Sequence, residues 1–338
     1  MRIILYFCLV KIIEDYKKTI KSSETEDWLD YRFVRPFSYL WALLFARFDI
    51  HPNTVTIISM IIGAASCVFF AHGSYFYEGW NGLFLNLIAI MMLVMADVFD
   101  CTDGQLARLT GKRSQLGRIL DGAAGFVWFI PIYLAIDYRF YIHHDIEFSW
   151  LGLSGDNSST VMIATAVVFV LSLFSGFMGI SSQQRMADYY IQIHLFFLKG
   201  EKGAELDSSA QQQKVFDETP WEGNYLWKTF LRSYISYTQK QEAATPKFQQ
   251  LMQVLNEKYG TPENMPLEIR ERMLQLSRQL MPWNAMLTFN FRTIWLILFC
   301  LSDIPACYFL FEVIVMELLT RGIIRYHESE CEKIIPLT

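Results

Sequence analysis

The chain has no excess of positive charge and no paired cysteines, and both absences narrow its class. Twenty-nine Lys and Arg stand against 34 Asp and Glu, a net charge of −5, the wrong sign for gripping a phosphate backbone, so nucleic acid is excluded as a partner. The six cysteines, at 8, 67, 101, 300, 307 and 331, form no C-x-x-C pair and no zinc-finger spacing, which argues against a disulfide framework or structural zinc. There is no internal repeat and no low-complexity tract. The first thirteen residues are apolar around Arg2 and Lys11; they are too short to span a bilayer and lack a small-residue cleavage site, so a surface helix is expected there. What is abundant is apolar: 53% of the residues are hydrophobic while 19% are charged, the balance of membrane spans joined to a sizeable polar region.

Stretches of spanning length fall at about 54–72, 82–103, 118–136, 160–181, 286–302 and 304–321, each able to cross roughly 30 Å of hydrocarbon. The expected fold is all-α, a polytopic bundle of six transmembrane helices. Arg108, Lys112, Arg113 and Arg118 crowd the second connection, placing it in the cytoplasm by the positive-inside rule, with both termini on the same side and the loop holding Asp137, Asp145, Glu147 and Asp156 outside. Residues 28–48 interleave Trp28, Phe33, Phe37, Leu40, Trp41, Leu44 and Phe48 with Arg32, Arg35 and Arg47, the pattern of an amphipathic helix in the headgroup layer. About a hundred polar residues, 184–283, form a cytoplasmic insertion. Helical spacing at 247–259 and 266–281 makes it a small helical subdomain. The expected organisation is therefore 1–50 interfacial, 51–183 with four spans, 184–283 inserted, and 284–338 with two spans and a tail.

The second and third spans carry acids. Asp100 and Asp103 are three apart and Ala107 lies four beyond, along one side of a helix, with Gly104 beside them; Gly117 and Asp121 are four apart on the next apolar segment. An ionised Asp near a helix centre costs roughly 2.5–3.5 kcal/mol on insertion scales, so a cluster persists where charges face one another, a metal or a water-filled cavity. Small residues let two such helices approach closely. Carboxylate oxygens suit Mg²⁺ or Mn²⁺, and Mg²⁺ commonly shares its coordination sphere with substrate phosphates.

The run resembles the signature of the CDP-alcohol phosphotransferase (CDP-alcohol phosphatidyltransferase) family, D-x-x-D-G-x-x-A-R, eight residues, then G-x-x-x-D-x-x-x-D. Asp100, Asp103, Gly104, Ala107, Arg108, Gly117 and Asp121 match seven of its eight fixed positions, and Gly125 replaces the last aspartate. Arg35-Pro36-Phe37 and His51-Pro52-Asn53-Thr54-Val55-Thr56 look like the family's interfacial helix and its first span; the likeness fades after about residue 190. The resemblance implies an acceptor hydroxyl attacking the phosphorus of a CDP-linked alcohol with release of CMP, on one or two Mg²⁺ or Mn²⁺ ions. Asp100, Asp103 and Asp121 are the implied metal ligands. Gly104, Ala107 and Gly117 leave room for the cytidine nucleotide, and Arg108 holds helix ends or phosphates, with an ordinary interfacial charge as the rival explanation.

At Gly125 the family has the carboxylate thought to act as general base and metal ligand, and glycine can do neither. Asp97, one turn before Asp100 on the same face, is a candidate substitute; a solvated acid or a helix-end partner for a nearby cation explains it equally well. Water or substrate phosphate filling the gap is the other way out. Arg185, Asp188, Arg292 and Arg321 could bind an anionic acceptor, or the arginines could simply anchor the spans. His51, His143, His144 and His194 lack ligand spacing and are expected at the surface or interface. The expected function is a membrane phospholipid-synthesis transferase using CDP-diacylglycerol and a polar alcohol. The alternatives are transfer of a CDP-linked headgroup to diacylglycerol, or a silent nucleotide- or lipid-binding scaffold. A homodimer built through the insertion stays open.

Overall fold

In the computed structural model the described residues are 15, 16, 19, 20, 22, 24–26, 28–112, 114–150, 152 and 157–337. The expected surface helix over the first thirteen residues, Arg113 and Asp156 lie outside them. Every regular element among the described residues is helical. The principal ones are α1 (Arg35–Arg47), α2 (Pro52–Ala71), α3 (Trp80–Thr110), α4 (Gln115–Ile142), α5 (Ser158–Met178) and α6 (Arg185–Lys199). They continue with α7 (Ser209–Glu218), α8 (Tyr225–Ala244), α9 (Pro246–Tyr259), α10 (Leu267–Ala285), α11 (Phe289–Leu301) and α12 (Glu317–Ile334).

Among the described residues, five helical stretches are long and apolar enough to cross a membrane: Pro52–Ala71, Trp80–Thr110, Gln115–Ile142, Ser158–Lys199 and Leu267–Leu301. Their outer faces expose Ile61, Phe84, Met91, Ile163 and Phe174, side chains that bilayer hydrocarbon would cover. The protein is an integral membrane protein on this evidence. The expected sixth span, 304–321, is not among the five: it is split over Cys307–Leu310, a π-helical turn Phe311–Met316 and the start of α12, and it carries Glu312, Glu317 and Arg321.

The chain divides into two compact units. One runs up to Gly176 and takes in Ile294–Leu310; the other comprises Phe177–Thr293 and Phe311–Thr338. In the first unit α2 packs against both α3 and α4, and α1 lies along α3. Gly63 permits the closest approach of α2 to α4, because a Cβ there would stand 2.3 Å from the ring of Trp128, which is only 2% exposed. Gly63→Val therefore overpacks a fixed indole at a cost of about 1–3 kcal/mol. A lower melting temperature in detergent is the expected result, and an unchanged one refutes the contact. At the far end of α4 the buried Arg139 guanidinium donates to Asp303 (2.5 Å), to the Cys300 carbonyl (3.0 Å) and to Asn86 (3.2 Å). This clasp ties α3, α4 and Ile294–Leu310 together.

Of the acids placed outside by the charge pattern, Asp137 lies within α4, and both it and Glu147 are buried. Asp137 accepts from Ser172 (2.7 Å), and Glu147 accepts the Ala306 N–H (2.9 Å). Burial pushes the Glu147 carboxyl up to about 7 from its ordinary 4.5, against the opposing pull of the Ala306 N–H and Arg139. The folded state thus holds this proton more tightly than the unfolded chain. Its contribution is fully present below pH 4.5, fades as pH rises towards 7 and stays lost above. The loss is about 3 kcal/mol at 1.36 kcal/mol per pH unit. A Glu147→Gln variant is expected to melt at a temperature flatter across that window than the parent; parallel curves reject the assignment.

The second unit is built on α6, whose Tyr190, Ile193 and Phe197 meet Phe248, Leu251 and Leu255 of α9, Met273 and Leu276 of α10 and Ile323 of α12. The helices expected at 247–259 and 266–281 are α9 and α10. His194, expected at the surface or interface, is buried here and hydrogen-bonds Ser277 (2.7 Å).

Candidate functional site

The geometry of the aspartate run is set by how α3 stops and α4 starts. Gly111 takes the left-handed conformation (φ +71°) that ends α3. Ser114 caps α4 by accepting the Gly117 N–H at 2.9 Å. Asp100, Asp103, Gly104, Ala107 and Arg108 thus lie towards the C-terminal end of α3, and Gly117, Asp121 and Gly125 in the first turns of α4. The N-terminus of α2 meets the start of α4. His51 caps it through Nδ1, accepting the Asn53 N–H at 3.2 Å, and the Ser114 hydroxyl donates to Asn53 Oδ1 (3.1 Å). A Cβ on Gly117 would lie 2.9 Å from that same Asn53 oxygen, which is why glycine stands there.

Asp103 is buried, and the Thr56 hydroxyl of α2 donates to its Oδ2. Asp100 stands in the repulsive field of Asp121, Asp103 and Asp97, in that order of strength, with Arg35 opposing. Asp121 is exposed, and Asp97 is half-buried. The structure therefore brings all four acids within electrostatic reach. Their oxygens are nonetheless not crowded together: among the described residues, the trio of His, Cys, Asp or Glu side chains with donor atoms all within 4.8 Å of one another is His327, Glu328 and Cys331. No three of the four aspartates bring donor oxygens within that distance of one another.

A divalent cation fits these residues on one further count. Asp100 Oδ1 is buried and has no hydrogen-bond partner, and buried polar atoms otherwise find one. Oxygen-only donors of this kind are what Mg²⁺ and Mn²⁺ take.

Arg108 folds back over Gly104: its guanidinium lies about 3.4 Å from where a Cβ would be, and its Nε donates to the Thr19 carbonyl at 2.7 Å. It holds the preceding segment against α3. Arg35 makes a similar tie, pairing with Glu26 (2.9 Å), while Gln105 donates to its carbonyl (3.3 Å). Ser38 and Thr102 complete the seam between α1 and α3, since the Ser38 hydroxyl donates to the Val98 carbonyl at 2.9 Å and the Thr102 hydroxyl lies 3.2 Å from the Ser38 carbonyl. Sequence reasoning missed Thr56, Glu26 and Asn53 as partners of the site. Thr56 and Asn53 had a signal in the Pro52–Thr56 run; Glu26 had none.

Gly125 lies one turn beyond Asp121, and a Cβ there would meet nothing within 4 Å. Of the arginines considered for an acceptor, Arg292 is buried in the second unit, where it pairs with Glu312 and donates to Gln183 (2.6 Å). That ion pair accounts for it. Arg321 pairs with Glu317 one turn away (2.8 Å), Arg185 lies over the Tyr237 ring, and Asp188 accepts the Tyr237 hydroxyl (3.0 Å).

Residues 49–178 match the family model described as CDP-alcohol phosphatidyltransferase. The match takes in α2 to α5 and all seven motif positions. That family transfers a phosphatidyl group from a CDP-alcohol to an acceptor. No curated protein matches the chain significantly.

Proposed function

We propose that the protein is an integral-membrane transferase of phospholipid synthesis that moves a phosphatidyl group from CDP-diacylglycerol to the hydroxyl of a polar alcohol. The observation that carries this is that Asp100, Asp103 and Asp121, from two successive helices, lie within electrostatic reach of one another, with a buried Asp100 oxygen that has no hydrogen-bond partner. The three acids would hold Mg²⁺ or Mn²⁺, one ion or two. When bound, the metal neutralises the diphosphate and the charge developing on the leaving oxygen. The acceptor oxygen forms a bond to the phosphorus bearing the lipid, the bond to the CMP oxygen breaks, and CMP leaves with that electron pair. Asp97 takes the proton of the acceptor hydroxyl. Gly104, Ala107 and Gly117 leave the cytidine nucleotide space along α3 and α4, and Arg108 supports the cradle by fixing the chain before α1.

Further parts of the reading rest on sequence pattern. The bundle has six spans, the last drawn from 304–321, with 184–283 as a cytoplasmic insertion and the acidic end and both termini facing the cytoplasm. The face of α1 that leaves Phe37, Leu40 and Leu44 exposed, continued by Phe33 and Phe48, supports a helix lying in the headgroup layer. A homodimer is compatible with the insertion.

Gly125 favours a second reading, a chain that binds nucleotide or lipid without turnover. Purified protein with Mg²⁺ or Mn²⁺ and CDP-diacylglycerol, challenged with a panel of alcohols, separates the two: CMP release with one acceptor supports the transferase. Release only with diacylglycerol and a CDP-linked headgroup reverses the donor. No release with any pair leaves the scaffold.

A further inference from the structure

The second unit holds a donor cluster that the transfer reaction does not use. His327, Glu328 and Cys331 lie on consecutive turns of α12, and their donor atoms all fall within 4.8 Å of one another. His327 Nδ1 is 3.8 Å from Glu328 Oε1, and Cys331 Sγ is 3.8 Å from each of the two ring nitrogens. A tetrahedral zinc, with Zn–S about 2.3 Å and Zn–N about 2.0 Å, separates neighbouring donors by about 3.3–3.7 Å, so these edges need to close by only a few tenths of an ångström.

The cluster is held from outside. The His327 ring is fixed between Tyr190 (4.9 Å) and Phe248 (5.3 Å). Glu328 is fixed by two backbone donors at the start of α9, the Lys247 N–H (2.7 Å) and the Phe248 N–H (3.1 Å), one to each carboxylate oxygen. Each oxygen keeps a second lone pair, and metal-binding carboxylates are usually hydrogen-bonded in this way. His327 and Cys331 are almost wholly buried, while the Glu328 side chain is 14% exposed and gives the cluster its opening to solvent.

From this geometry we infer that His327, Glu328 and Cys331 form a binding site for a zinc-class divalent ion that staples α12 to the start of α9. The charges balance: a neutral imidazole, one carboxylate and one thiolate cancel a double positive charge, so the loaded site buries no net charge. Zinc takes imidazole, carboxylate and thiolate in their deprotonated forms. Metal binding therefore displaces the thiol proton to solvent. Water takes the fourth position on the Glu328 side. Thiolate and imidazole select zinc, cobalt or copper over Mg²⁺, so the site differs in kind from the aspartates of the first unit. His327-Glu328-x-x-Cys331 departs from zinc-finger spacing because all three donors come from one helix.

The full chain in detergent, stripped with chelator and titrated with Co²⁺, tests this inference without reference to turnover. The expected result is a thiolate-to-cobalt charge-transfer band saturating at one ion per chain and erased by Zn²⁺. Cys331→Ala should abolish the band, and Cys67→Ala should keep it. Cobalt taken up without that band, or a band that survives Cys331→Ala, overturns the site. If Cys331→Ala fails to fold, Glu328→Gln decides. It keeps an oxygen to cap α9 but loses the charge, and it should weaken binding about tenfold or more; unchanged affinity overturns the site.

Discussion

Asp100→Asn is expected to reduce CMP release roughly 10³-fold, the scale of several kcal/mol of metal-borne charge stabilisation at 1.36 kcal/mol per decade. The substitution is nearly isosteric, so the bundle should survive it. It should even gain stability in metal-free buffer, because a carboxylate repelled by Asp121, Asp103 and Asp97 is removed from a half-buried position. Loss of turnover with an equal or higher melting temperature is therefore the signature of a ligand. Loss of turnover with a lower melting temperature assigns Asp100 to the packing of α3, and retained turnover removes it from the site.

Asp97→Asn has the second largest expected effect. General-base assistance is typically worth 10²–10⁴-fold, and turnover should fall by about that factor without a matching rise in KM for the CDP-alcohol. The open space at Gly125 supplies the complementary measurement. A Cβ there meets nothing within 4 Å, so Gly125→Asp can be built without displacing a neighbour, one turn beyond Asp121. Introduced into Asp97→Asn, it should recover at least part of the lost rate. Unchanged turnover in Asp97→Asn rejects the role, and a slow Asp97→Asn enzyme that Gly125→Asp leaves equally slow rejects the exchange of one carboxylate for the other.

The local features of the site were legible because they are written in helical spacing. Asp100, Asp103, Gly117 and Asp121 declare their faces by intervals of three and four, and Gly111 and Ser114 are the residue types that end and begin helices. What spacing cannot carry is the partner across the fold. Thr56 reaches Asp103 across 47 positions, and the Thr19 carbonyl meets Arg108 across 89. Arg292 reads as a membrane anchor until Glu312 and Gln183 are seen around it, since a charge near a span end looks the same whether it faces headgroups or a buried counter-ion. The stretch 304–321 reads as one apolar span, and spacing does not announce that its helix changes to π geometry at Phe311–Met316 or that Glu312 within it is buried. The cluster on α12 went unread because Cys331 fits neither a C-x-x-C pair nor a finger spacing and nothing in the sequence singled out His327.

The short turn from Gly111 to Ser114 has a consequence for how the protein tolerates change. The phase of Asp121 is set within two turns of the Ser114 cap, so an extra residue inserted in α4 between Gly117 and Asp121 would rotate that acid by about 100° about the helix axis and carry it out of alignment. Lengthening the polar connection between α4 and α5 leaves that phase untouched. The chemistry thus depends on one local hinge point, and the remainder of the bundle is free to drift in length and composition around it.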